Sequence, residues 1–111
     1  MAWSREGLTI ILRRTNIPHY MWDGLVSYIV EGRPPGSFLT AVLSNDLKEA
    51  CLKADSTNQN IIWDYVDFLY NHAPMPCWGS EARVKAWLRE HRELRDKAKR
   101  AEDLDLSDKE A

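Results

Sequence analysis

The chain has 111 residues, an apolar fraction of 44% and a formal net charge of −2. That is one domain with room for one modest core, and the slightly acidic balance stands against a generic nucleic-acid binder. No run approaches the roughly 18 apolar residues of a membrane span, so no membrane partner is expected.

The first stretch, MAWSREGLTIILRR, has no small-residue cleavage site and is not read as a signal peptide. Its LTIIL core suits a short strand or a helical turn. Ser4 as a cap favours a helix over 4–14, against the cost of Gly7. Asn16-Ile17-Pro18 is a clearer start, a cap residue followed by a proline suited to a first turn. Trp22, Leu25, Val26, Ile29 and Val30 then mark one apolar stripe, and Gly32 with the following prolines ends it.

After this Gly-Arg-Pro-Pro-Gly corner, Ser37 is the expected N-cap of a short buried helix over 37–44. Ser44-Asn45-Asp46 interrupts it, and Asp46 with Glu49 has capping-box spacing for a second helix over 46–54. One continuous helix to 54 fits nearly as well. Residues 55–60, DSTNQN, read as a polar loop. Ile61, Ile62, Tyr65, Val66 and Leu69, widened by Trp63, Phe68 and Tyr70, predict a central helix packed on more than one side. It stops before Ala73-Pro74-Met75-Pro76.

Ser80 is the expected cap of the last helix, in which Val84, Trp87, Leu88, Leu94 and Ala98 keep the core register. Residues 81–100 carry eight bases against four acids, and residues 101–111 carry five acids against Lys109. The helix is expected to leave the body near Leu94 and fray into a disordered acidic tail. The fold expected is therefore all-α, a bundle of four to five helices. It divides into an N-terminal extension 1–15, a helical domain 16–94, and a charged helix end with acidic tail over 95–111.

The chemistry-bearing residues form no catalytic signature. His19, His72 and His91 are scattered, and His72 with Cys77 has no zinc spacing, so neither metal nor cofactor is implied. Cys51 and Cys77 are read as free thiols. Cys77 stands before a helix start, a place where a thiol can be activated, but no base is placed beside it. The corner at 32–36 and the Cys77-Trp78-Gly79-Ser80 corner each open onto a helix N-terminus, where unpaired N–H groups attract anions. If the corners meet, Arg33, Ser37, Asn45, Trp78 and Ser80 line one ligand pocket. There Arg33 would pair with phosphate, the serines donate hydrogen bonds and Trp78 stacks.

Several of these residues also carry a resemblance. GRPPGSFLTAVLSNDLKEA, then Ala54-Asp55-Ser56-Thr57-Asn58, FLYN at 68–71, a proline, CWGS at 77–80 and Trp87 resemble a group of short uncharacterised proteins encoded by phage and prophage genomes. The match spans residues 17–90, and both ends of the chain depart from it. The group brings no catalytic residues. It implies a small accessory protein acting stoichiometrically, by binding, in the host cytoplasm. The leading expectation is a non-enzymatic counter-defence protein that sequesters a small anionic, nucleotide-like ligand. The alternatives are an inhibitor of a host enzyme or defence protein, and a nucleic-acid accessory factor using the basic helix 83–100. The wealth of aromatics for one small core also points to homo-oligomers.

Overall fold

The computed structural model describes residues 3–110, with backbone alone for 105–110; Met1, Ala2 and Ala111 lie outside the described residues. It is all-α, with seven α-helices and no strand among the described residues. They are α1 (Arg5–Leu12), α2 (Trp22–Glu31), α3 (Ser37–Leu43), α4 (Leu47–Lys53), α5 (Ser56–Gln59), α6 (Ile62–His72) and α7 (Glu81–Glu110). Short 3-10 turns at His19–Met21 and Met75–Cys77 lead into α2 and towards α7.

The expected count of four to five helices is thus too low. The helix that Ser4 favours over 4–14 forms as α1, with Ser4 as its N-cap accepting from the Gly7 N–H at 3.0 Å. The segment set apart as an N-terminal extension belongs to the body, because Leu8 and Leu12 are buried in the same core as α2, α3 and α6. The element not expected is α5, a single turn inside DSTNQN. Asp55 caps it by accepting from the Asn58 N–H at 2.8 Å, and buried Asn58 accepts from the Tyr65 hydroxyl at 2.6 Å.

The break between α3 and α4 falls where the Ser44-Asn45-Asp46 interruption predicts. Asn45 takes φ 60°. Its N–H returns to the Val42 carbonyl, and that of Asp46 to Ala41. These two bonds close a Schellman-type end before Asp46 caps α4 by accepting from the Glu49 N–H.

The largest correction concerns the C-terminus. Helical backbone continues to Glu110, in place of fraying near Leu94 into a disordered tail. The chain has no glycine or proline after Gly79, and its Ala, Leu, Glu, Lys and Arg are all good helix formers. The core sits between α1, α2, α3, α6 and the first half of α7, around Tyr28, Leu43, Tyr65, Phe68 and Leu69.

Candidate functional site

The Gly-Arg-Pro-Pro-Gly corner is shaped by a close approach of two helices. Gly32 ends α2 at φ 62°, and its N–H returns to the Tyr28 carbonyl at 2.9 Å. A Cβ at this position would overlap the His91 side chain on α7, so a glycine is required twice over. One turn further along α7, the Arg95 guanidinium donates to the Glu31 carbonyl. The Glu31 carboxylate accepts from Arg33 Nε at 2.6 Å and from Arg5 Nη2 at 2.8 Å. These bonds, Arg33's first and Arg5's second, hold its carboxyl below the usual range. Arg33 is therefore engaged two residues from itself.

The Cys77-Trp78-Gly79-Ser80 corner ties three helices together. Cys77 is fully buried and its carbonyl accepts from the Tyr28 hydroxyl at 2.7 Å. Burial pushes its thiol up to about 12, so it is an inert core group and not an activated nucleophile. Gly79 has φ 108° and donates to the Leu43 carbonyl at 2.7 Å. Ser80 caps α7, its Oγ accepting from the Arg83 N–H at 3.1 Å. Trp78 is half-buried against the core. From the adjoining helix, Trp87 Nε1 donates to the Tyr28 carbonyl at 2.9 Å.

The two corners border one open hollow of about 680 Å³, whose wall includes Pro35, Ser37, Asn45, Asp46, Glu49 and Glu81. Of the five residues expected to make a pocket, Ser37 and Asn45 line it. Ser80 precedes Glu81 on its wall but spends its hydroxyl as a cap, Arg33 pairs with Glu31, and Trp78 lies on the core. Gly36, not Ser37, occupies the N-cap position of α3, a helix of only seven residues. The hollow's charge is acidic, with Lys53 as its one lining cation among the described residues. Lys53 pairs with Glu49 at 3.5 Å, and Glu81 pairs with Lys85 at 2.9 Å. Among the described residues, no group of three or more His, Cys, Asp or Glu is placed to hold a metal ion.

A second surface was not foreseen from the sequence as a site. The expectation that α6 packs on more than one side is corrected. Tyr65, Phe68 and Leu69 are buried, whereas Trp63 and Tyr70 are 72% and 77% exposed. Trp63, Val66 and Tyr70 fall at i, i+3 and i+7, so they share one flank of the helix. Beside them runs a shallow, mostly apolar furrow lined by Val42, Leu47, Ala50, Ile62 and Val66, with Asn45 and Asp46 also on its wall. The sequence signal was the breadth of the apolar face, which burial and docking produce alike. Among the described residues, no helix is long and apolar enough to cross a membrane. No family model, curated protein or solved structure matches the chain.

Proposed function

We propose that this protein acts by docking onto another protein through the open flank of α6, without catalysis. The observation that carries this reading is the exposure of Trp63 and Tyr70, 72% and 77%, beside a mostly apolar furrow. Tyr and Trp anchors on a rigid element are the residues that dominate binding at protein interfaces. In the phage setting that the sequence resemblance implies, the partner is a host enzyme or defence protein in the host cytoplasm.

A second reading, withholding of a small nucleotide-like ligand, is favoured by the hollow that Ser37 and Asn45 share, which has the size of a ligand pocket. Asp46, Glu49 and Glu81 on its wall weigh against an anion. The third, nucleic-acid contact through residues 83–100, has the basic charge, but Arg95 and Lys85 on that helix are engaged within the chain.

Affinity capture from host lysate separates the first two readings. One stoichiometric partner is expected with the unaltered chain. It is lost by at least tenfold with W63A/Y70A, which leaves the core untouched, and kept with Arg33→Ala. Capture insensitive to W63A/Y70A, or heat on titrating cyclic nucleotides that Asn45→Ala removes, would sink the docking reading.

A further inference from the structure

The far half of α7 leaves the body. Arg95 makes the last described hydrogen bond to it, through the Glu31 carbonyl, and every residue from Asp96 to Leu104 is exposed, with the molecule drawn out to 59 × 28 × 24 Å. A lone helix of about 15 residues is marginal in water unless something supports it. Among the described residues, the one ion pair within α7 is Glu81–Lys85, at its foot. Glu93 and Lys97 stand at i, i+4 but form no ion pair among those described, so such pairing does not hold up the protruding part.

What the protruding part presents is a seam and two blocks of opposite charge. Leu94, Ala98, Ala101 and Leu104 are spaced four, three and three apart along one side, and Leu94 and Leu104 are 62% and 68% exposed. On the body side of Ala101 stand Arg92, Arg95, Lys97, Lys99 and Arg100 against Glu93 and Asp96. Beyond it, residues 102–110 carry Glu102, Asp103, Asp105, Asp108 and Glu110 against Lys109. A helix so divided complements itself in one orientation only. A second copy laid antiparallel about Ala101 sets Ala98 against Leu104, Lys99 against Asp103 and Arg100 against Glu102, each basic block over an acidic one. A parallel copy sets like charge on like, which is repulsive.

We propose that the occupant of this seam is a second copy of the chain, paired antiparallel through residues 92–110 as an isologous two-fold contact. The seam is narrow and rich in alanine, so charge does much of the selecting and the pair is salt-sensitive. This is independent of the docking reading of α6, which lies on another helix.

The test is sedimentation equilibrium of the full chain. A dimer is expected at low salt, with a dissociation constant raised roughly tenfold or more at about 1 M salt, where charges more than ~3 Å apart are screened. K97E/K99E/R100E and E102K/D103K change only exposed side chains, so each variant is expected to stay folded. Alone, the first is acidic in both blocks, and the second loses the net acidity of its outer block and sets like charge opposite Lys99 and Arg100, so each is monomeric; mixed in equal amounts they form a heterodimer. Leu104→Asp also gives a monomer. A wild-type monomer at low salt overturns the proposal, whether or not the basic block then shifts a nucleic-acid duplex. So does a dimer indifferent to these substitutions.

Discussion

Gly32 is the residue at which backbone conformation and helix packing meet. Its φ of 62° disfavours any side chain by about 1 kcal/mol, and the His91 side chain fills the space where a Cβ would go. Forcing an added carbon into a packed contact costs about 1–3 kcal/mol more. Gly32→Ala is therefore expected to destabilise the fold by about 2–4 kcal/mol, read as a fall in the urea midpoint with the slope unchanged. The overlap begins at His91 Cβ, so adding His91→Ala gives no rescue. Adding His91→Gly recovers part of the loss, less about 1 kcal/mol of helix propensity. A Gly32→Ala variant as stable as the parent would mean that α7 does not sit against this corner. Gly32 thus serves the packing of α2 on α7, and the unusual composition of its loop needs no ligand to explain it. The same holds for Asn58, whose place in the Ala-Asp-x-x-Asn stretch is accounted for by its bond to the buried Tyr65 hydroxyl.

Between α3 and α4 the chain turns on Asn45, the one non-glycine residue with positive φ among those described. Asparagine tolerates this region better than other side-chain-bearing residues. Asn45→Ala is expected to cost about 1 kcal/mol, and Asn45→Gly to stay within about 0.5 kcal/mol of the parent, by thermal and urea unfolding. Equal losses in both would show that the Asn45 side chain, and not its backbone, holds the corner. This joint is also where reading the sequence went furthest. Ser44-Asn45-Asp46 announces a break and a cap because both are local events, written in adjacent residues. Gly32 and the prolines after it mark the end of α2 for the same reason. What local pattern does not carry is partnership across the chain. Arg33 looks free until Glu31 and Arg5 are seen around one carboxylate. Ser37, Asn45 and Glu81 share a hollow only because Gly79 bonds to Leu43, and that convergence makes its wall acidic. A single turn such as α5 has no room for apolar periodicity, so a polar loop and a capped turn look alike. High polarity beyond Leu94 suggests disorder by composition alone, whereas the Ala, Leu, Glu, Lys and Arg that make up most of the segment favour a helix.

At the scale of the molecule, α7 has a half that holds the body together and a half that does not. Val84 is buried, Trp87 and Leu88 pack on the core, His91 rests on Gly32, and Arg95 reaches Glu31. From Asp96 to Leu104 the helix is exposed and donates nothing to the core. Ending the chain after Asp96 therefore removes helix without removing burial. The body is expected to lose no more than about 0.5 kcal/mol, the range of surface changes, which is within roughly 4 °C in melting temperature for a domain of this size. Far-UV circular dichroism should fall by the share of helix removed. The same truncation is expected to abolish self-association, since it takes away Ala98, Ala101, Leu104 and the acidic block together. Ending the chain after Leu88 instead strips His91 and Arg95 from the α2 corner, and there a loss of several kcal/mol follows from the exposed apolar surface and the unpaired Glu31 carbonyl. The contrast between the two truncations is what matters. If the shorter cut alone unfolds the body, the far half of α7 packs onto it in solution, and its seam is then occupied from within the chain, leaving no place for a second copy.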